Sequence, residues 1–511
     1  MQIGHVVRFA MKPRVLLTGA SGSMGGEAFK ELLRRRSRYE MVLILRPSRT
    51  NLKMFREYHS ENNLTPGENG VVEDSGIKIV WGDLTSYNDV LNAVEGVDYV
   101  LHPAAFIAPA ADHDPELAEK VNVGGTENII QAIKAQEDGA ERIKLVYISS
   151  VAIYGDRLAP IYWVRTGDPL KPSVYDFYAT TKIRAERAVI ESGIKHWVAI
   201  RQTYIAIPDA MSLLDPILFH QPIDQHIEMI TAEDAGFGLV QCLETPDEFW
   251  GRIYNMGGGA SCRFIFFEYI DRMMRNLGLG DYRKIMDRNW FCTRNFHCAW
   301  FSDSDVLNRY LGHWRHSLEE HYQQVIDAAP RYVRLAKLVP SSVIKSRFTG
   351  RMTKGKDGTM HWIQANNEGR ISAFWGSREI WEEIPSWYED MPDMDAKAYI
   401  LDHGYDESKS EDDLTIEEMR GAARFRGGEC LSSVFEDMRR KLRWRCAYGH
   451  EFDATPVLIL KAGHWCPECL PPPWNYDEIA KKNPFFAQVY YTNHDEYESN
   501  YYDENCYEDI L

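Results

Sequence analysis

The fold class predicted by this sequence is α/β, a doubly wound parallel sheet, and three observations predict it. Short apolar runs that do not alternate recur between amphipathic helical stretches from Pro13 to about Ile207, as expected of strands buried on both faces. The first run feeds a glycine-rich turn, Thr18-Gly19-Ala20-Ser21-Gly22-Ser23-Met24-Gly25, which opens a helix-like stretch at 27–38. Small and polar residues collect directly after the runs, where sheets of this kind bind ligands.

The predicted strands are residues 15–17, 41–45, 78–80, 99–101, 144–148 and 198–201. In the turn after the first strand, Gly19 permits a sharp reversal and Gly22 lets the backbone approach a pyrophosphate. Gly25 allows close packing of helix on strand, and the helix N-terminus adds unpaired N–H groups and positive potential. Ser21, Ser23 and Met24 complete this candidate dinucleotide site. The second strand ends Leu45-Arg46-Pro47-Ser48-Arg49, without a carboxylate. An acidic residue there suits the ribose 2′-hydroxyl of NAD(H), whereas arginine suits a 2′-phosphate. Arg46 and Arg49 therefore favour NADP(H) over NAD(H), with plain surface charge as the alternative. Gly82-Asp83-Leu84, His102-Pro103-Ala104-Ala105 and Ser149-Ser150 follow later strands at the same end of the sheet.

Tyr178 and Lys182 stand four positions apart in Tyr-Ala-Thr-Thr-Lys, so on a helix they share a face. A nearby ammonium is expected to stabilise the phenolate and lower its pKa. The phenol then exchanges a proton with a carbonyl oxygen while hydride moves to or from a nicotinamide. Either motif alone is weak; their order and separation point to a nicotinamide enzyme. Tyr175 has no lysine at the matching spacing and is assigned to the pocket wall. Phe106, Ile107, Trp163, Arg165, Tyr204 and His220 are further candidates for a substrate pocket whose aromatic bias favours an apolar or ring-bearing small molecule.

Together these residues resemble the extended short-chain dehydrogenase/reductase family, which includes epimerases and dehydratases acting on nucleotide sugars. Further matches are Asn122-Val-Gly-Gly-Thr126, Ser150-Val-Ala-Ile-Tyr154-Gly155, Ile200-Arg201-Gln202-Thr203, Thr231-Ala-Glu-Asp234 and Tyr254-Asn255-Met-Gly257-Gly258. The resemblance covers roughly residues 12–320. It implies a Rossmann domain at 12–205 and a substrate-binding subdomain at 206–320. It also implies that Ser150 holds the substrate oxygen beside Tyr178, that Asn122 supports the site and that Asp83 contacts the adenine. The resemblance leaves the subfamily open, because Pro103 and Gln202 depart from the usual pattern.

Past residue 320 the family gives no guide. Residues 321–410 are rich in Trp and charge, with a predicted hairpin of 361–365 and 370–374 around Asn366-Asn367-Glu368-Gly369 and an acidic linker at 402–413. Residues 411–475 carry Cys446-Ala-Tyr-Gly-His450 and Cys466-Pro-Glu-Cys469, separated by fifteen residues, resembling the knuckles of a zinc ribbon or treble clef. Cys446, His450, Cys466 and Cys469 would complete a tetrahedral structural zinc site with no position left for water. Cys430 or His464 could replace His450, and a redox pair or ordinary thiols are the alternatives. The fold expectation therefore ends in a C-terminal α+β extension holding this module, then an acidic, Tyr-rich tail at 476–511 that reads as solvated or loosely packed, with a docking strip as the alternative. Residues 1–11 read as an N-terminal extension in which Met11 is a second candidate start.

The chain has 511 residues and a formal charge of −17, which argues against general binding to nucleic acid or anionic membranes. No apolar run reaches the roughly 18 residues of a membrane span, no secretory signal is evident, and nine cysteines without a regular framework suggest a reducing cytoplasm. A homo-oligomer is compatible with this composition. The expected activity is NADP(H)-dependent interconversion of a carbonyl and a secondary alcohol. The alternatives are a nucleotide-sugar epimerase or dehydratase that retains NAD, and a nucleotide-sensing module without catalysis.

Overall fold

The computed structural model describes residues 12–58, 71–74, 76–209, 215–330, 333, 337–387, 397, 399–469, 474–500 and 502. The N-terminal extension at 1–11 and the end of the tail at 503–511 lie outside the described residues. The main sheet contains β1 (Arg14–Thr18), β2 (Glu40–Leu45), β3 (Val71–Asp74), β4 (Ile77–Trp81), β5 (Tyr99–His102), β6 (Lys144–Ser150) and β7 (Trp197–Gln202). Its far edge is Arg252–Met256, labelled β10 here with the short strand Trp163–Val164 left out of the numbering. All six predicted strands are present. The spatial order is β10-β7-β6-β5-β1-β2-β4-β3, and every pairing is parallel except β3 with β4.

Successive strand residues face opposite sides, so one sheet builds two cores. Leu16, Val42, Val100 and Leu145 pack against α2 (Tyr87–Val94), α3 (Gly125–Lys134) and α4 (Phe177–Ile190). Leu17, Leu43, Val146 and Ile200 pack against α1 (Ser23–Arg34) and α5 (Ala232–Gln241). Thr231 caps α5 through the Asp234 amide. A small sheet sets β9 (His226–Thr231) between β8 (Tyr204–Ala206) and β11 (Arg263–Ile265). With α6 (Phe266–Asn276) it forms a third core beside the carboxyl ends of the main strands.

The C-terminal third departs from expectation. The predicted hairpin is two helices, α7 (Thr359–Gln364) and α8 (Glu368–Trp375). Asn367, read as a hairpin turn, instead caps α8 by accepting from the Arg370 amide at 2.9 Å. Trp362, Ile363, Ile371, Phe374 and Trp375 share one buried cluster. The acidic stretch at 402–413 is docked rather than a free linker: buried His403 lies between Asp168 (2.9 Å) and Glu407 (2.8 Å). The segment after 475 is not a loose tail in its first half. It forms α10 (Tyr476–Lys482) and α11 (Pro484–Tyr490) after the helix α9 (Ile416–Phe425), and it buries Phe485, Phe486 and Tyr490.

Residues 429–454 form an antiparallel meander of β12 (Glu429–Cys430), β13 (Leu442–Arg445) and β14 (Glu451–Ala454). This module has no core of its own. Trp444, Phe452, Leu458, Leu460 and Trp465 join the cluster that already contains α3, α4 and the sheet. The apolar stretch at 456–460, too short to fill a separate domain, covers the outside of the helical layer. No helix among the described residues is long and apolar enough to cross a membrane.

Candidate active site

The glycine turn lies at the carboxyl end of β1, the central strand, where crossovers leave towards both sheet edges. Gly19 has φ +63°, and an added Cβ there would sit 2.9 Å from the Ala104 Cα. A Cβ on Gly25 would fall 2.0 Å from the Gly19 carbonyl oxygen, so these positions require glycine. The Gly22 amide donates to the Gly19 carbonyl at 2.9 Å and closes the turn. No acidic residue occupies the first turn of α1, which leaves its N-terminal field available to an anion. Beneath the loop, Thr18 Oγ1 meets His102 Nδ1 at 2.9 Å and accepts from the Ala104 amide at 3.2 Å. The other His102 nitrogen lies 3.1 Å from Thr126. Burial lowers the His102 pKa to about 3, reinforced by the positive charge of Lys182, so a neutral ring ties β1, β5 and α3 together.

A cavity of about 730 Å³ runs from this loop across the strand ends. One end contains Gly19, Ser21, Gly22, Ser23, Met24 and Gly25, with Arg46, Asp83 and Leu84 beside them. Pro103, Ala104 and Ala105 line its middle, next to Ser150 and Tyr178. Arg49 does not line it; it begins the short helix Arg49–Met54, capped by Ser48. Asp83 accepts from the Thr85 amide and hydroxyl, each at 2.9 Å.

Tyr178 and Lys182 lie one turn apart on α4, whose cap Asp176 accepts from the Ala179 amide at 2.8 Å. Burial raises the Tyr178 phenol to about 12, while its hydrogen bond with Ser150 pulls the other way. The expected lowering by Lys182 is therefore not what this geometry gives. Lys182 Nζ is turned to the Ile148 carbonyl at 2.6 Å and sits over the Tyr147 ring at 4.4 Å. Burial brings its own pKa down to about 7. Asn122 works at one remove. It accepts from the Phe106 amide at 2.7 Å and donates to the Phe106 carbonyl and to Thr181, each at 2.9 Å. It thus fixes the cavity wall to α4.

Of the pocket candidates, Phe106, Ile107 and Tyr204 line the cavity. Trp163, Arg165, His220 and Tyr175 do not. Trp163 pairs with Trp300 in a two-stranded ladder, Arg165 bonds Glu407, and His220 meets the Asp357 carbonyl at 2.7 Å. Tyr175 is buried under the Arg370 guanidinium, 3.7 Å from its ring centre. The far wall is formed instead by Leu218, Ile227, Phe264, Phe266, Tyr269 and Phe296. His297 also faces the cavity, its Nδ1 3.1 Å from Asp176. Asp112 accepts from the Tyr178 amide at 3.1 Å, and burial pushes its carboxyl well above the usual range, with Asp176 adding to the shift. The Asp176 cap is readable two residues before Tyr178; nothing in the sequence marks His297.

The C-terminal cluster brings Cys446, His450, Cys466 and Cys469 together, all donor atoms within 4.8 Å of one another. His450 Nδ1 lies 3.5, 3.6 and 3.4 Å from the sulfurs of Cys446, Cys466 and Cys469, and Cys446 and Cys469 are 3.7 Å apart. A tetrahedron with metal–sulfur bonds of about 2.3 Å has edges of about 3.8 Å, so the donor set fits such a centre. Cys430 is not in the cluster, and His464 is engaged with Glu186 at 2.9 Å; neither replaces His450.

The chain is similar to known proteins over part of its length. The chain is 29% identical over 190 residues to 3 beta-hydroxysteroid dehydrogenase/Delta 5-->4-isomerase of Mycobacterium tuberculosis, covering 35% of this chain and 43% of that protein. It is 34% identical over 115 residues to human sterol-4-alpha-carboxylate 3-dehydrogenase, decarboxylating, covering 22% and 29%. The match thus spans less than half the length of these curated relatives. A solved structure of dTDP-glucose 4,6-dehydratase from Bacillus anthracis in complex with NAD aligns at 16% identity and TM-score 0.47, over 62% of this chain and 96% of that one. Residues 15–201, the stretch from the glycine turn through the Tyr-Lys pair, match the NAD dependent epimerase/dehydratase family.

Proposed function

We propose that the protein is an NADP(H)-dependent oxidoreductase that interconverts a carbonyl and a secondary alcohol on an apolar, ring-bearing substrate. One observation carries the reading: a single cavity contains the glycine turn and Arg46 at one end, Ser150 and Tyr178 in the middle, and an aromatic and aliphatic wall beyond them. The dinucleotide, when bound, supplies or accepts the hydride. Ser150 and Tyr178 hold the substrate oxygen, and the phenol delivers a proton to it in reduction or removes one in oxidation. A phenol near 12 is protonated at neutral pH, which suits reduction. Lys182, once turned from the Ile148 carbonyl, would provide positive charge for the reverse step. The sterol names of the relatives support a fused-ring alcohol as substrate class. Arg46, with no carboxylate nearby on the loop, supports the 2′-phosphate preference.

Cys446, His450, Cys466 and Cys469 are assigned to a structural zinc, supported by the tetrahedral edge lengths. None of the eight described cysteines forms a disulfide, which supports the reading of a reducing cytoplasm. The test is a panel of 3β-hydroxysteroids, their ketones and nucleotide sugars, followed by NADPH absorbance. Turnover of a steroid pair with exchangeable NADPH is expected. Tightly retained NAD with activity confined to nucleotide sugars would overturn the reading in favour of an epimerase or dehydratase.

A further inference from the structure

We infer that the Cys446–His450–Cys466–Cys469 knuckle is a built-in brace of the catalytic helix, so that its metal state sets dinucleotide binding at the nicotinamide end. The inference rests on the zinc reading for its metal arm and on the dinucleotide reading for its readout.

Four contacts join the knuckle segment to the catalytic frame. The Trp465 carbonyl, adjacent to ligand Cys466, accepts from Arg187 at 3.0 Å. His464, two positions before the same ligand, meets Glu186 at 2.9 Å. Thr455 donates its amide and hydroxyl to Glu191 at 3.0 and 2.6 Å. The Ala462 carbonyl accepts from Arg201 at 2.6 Å. Glu186, Arg187 and Glu191 mark the last turns of α4 and its C-cap, one turn and more beyond Lys182.

Arg201 makes this more than surface docking. Its guanidinium is fully buried and pairs with Glu186 at 2.6 and 3.1 Å. It also donates to Tyr154 at 2.7 Å, and Tyr154 ends the turn that begins after Ser150. One side chain therefore links the helix carrying Tyr178 and Lys182, the turn carrying Ser150 and the C-terminal segment. Buried charges keep such an arrangement only while every partner is present. If the knuckle opens, Glu186 loses His464 and Arg201 loses the Ala462 carbonyl. Glu186 and Arg201 keep each other, but the pair is left short of partners on one side, and any readjustment falls on α4 and β7, which carry them. The far end of the cavity, 19–25 and 46, makes none of these contacts. His464 and Glu186 are thus positioning residues, acting through α4.

The experiment uses the full-length protein and two probes, NADPH and its nicotinamide-free fragment 2′-phospho-ADP-ribose (NADH and ADP-ribose if NADH binds more tightly). Dissociation constants are measured before metal chelation, after it, and after zinc is restored, with metal content followed by elemental analysis. His464→Phe is measured alongside; it breaks the Glu186 contact and leaves all four ligands in place. Chelation and His464→Phe should each weaken NADPH by about tenfold or more, the loss of roughly one charge-assisted hydrogen bond, and change the fragment less than about twofold. Zinc should rescue the stripped protein and not the variant. Unchanged NADPH affinity in folded His464→Phe, or equal weakening of both probes, overturns the brace. A metal-free protein as purified overturns the zinc reading alone, and His464→Phe then decides the brace by itself. Should that variant fail to fold, Arg187→Met removes the Trp465 contact from the helix side. The same selective loss of NADPH, in smaller degree, is expected, and an absent split counts against the brace.

Discussion

Replacing Tyr178 by phenylalanine removes one oxygen and little else. The ring is buried beside Ala111, Ala118, Ala152 and Ala179, which phenylalanine fills equally well. The lost oxygen is the partner of Ser150 and the proposed proton carrier. Loss of an acid–base group typically costs 10²–10⁴ in rate, or about 3–5 kcal/mol of barrier at about 1.4 per decade. Dinucleotide affinity should stay within about twofold, because the glycine turn, Arg46 and α1 are untouched. The structure also fixes the sign of the pH dependence. A phenol near 12 is about 10⁻⁵ ionised at pH 7, so alcohol oxidation by the wild type should accelerate with rising pH while ketone reduction does not. Ser150→Ala removes the contact that lowers this pKa, so oxidation by that variant should be slower at every pH in the range. Initial rates in both directions between pH 6 and 10, with NADPH followed by absorbance, provide the assay. Near-normal turnover by Tyr178→Phe, or oxidation that slows with rising pH, would refute the proton-transfer assignment.

Arg46→Ala should weaken NADPH by about tenfold or more, the contribution of a charged phosphate contact, and leave NADH unchanged. Fluorescence titration of both cofactors checks this, and a wild-type preference for NADH contradicts it. Cys466→Ser is expected to lower zinc content towards zero and loosen residues 429–469, as elemental analysis and limited proteolysis would show. A fully protected, metal-free C-terminus would refute the ligand assignment. His403 lies between two carboxylates that outweigh the effect of burial and raise its pKa, while hydrogen bonds from His403 and Arg165 overcome burial to hold Glu407 near 2. The histidine stabilises the docked 402–413 segment fully below about 6.5, and this support is lost as pH rises through its raised value. The glutamate stabilises above about 4.5, and its share disappears as pH falls through about 2. The melting-temperature gap between wild type and His403→Gln should therefore be wider at pH 6 than at pH 9, and an equal gap would rule the linkage out.

The N-terminal sheet was legible because its signals are local. Unbroken apolar runs mark strands covered on both sides, and Gly19 and Gly25 stand where a Cβ has no room. Edge strands β3 and β10 were missed as strands, one short and antiparallel, the other visible only as part of a motif. The Asn366-Asn367 pair was misread because asparagine serves hairpin turns and helix caps alike; burial of Trp362 and Trp375 decided between them. The aromatic wall was mostly invisible, since Leu218, Phe264 and Phe296 meet only through tertiary packing. Lys182 shows the same limit at the level of chemistry. Its spacing from Tyr178 was readable, but its orientation towards Ile148 depends on where β6 ends.

The 261 positions that separate Arg201 from its carbonyl partner Ala462 have a consequence during synthesis. At roughly 5–20 residues per second, the catalytic half of the chain waits about 13–50 s after β7 is made before its last buried partner emerges. Until then Arg201, Glu186 and the apolar outer surface of α3 and α4 remain uncovered. A polypeptide that stops before residue 462 therefore holds Ser150, Tyr178 and Lys182 but lacks the carbonyl partner of Arg201 and the histidine partner of Glu186. On the brace proposed above, dinucleotide binding at the nicotinamide end reaches full strength only once translation has passed Cys469, the last of the four clustered residues.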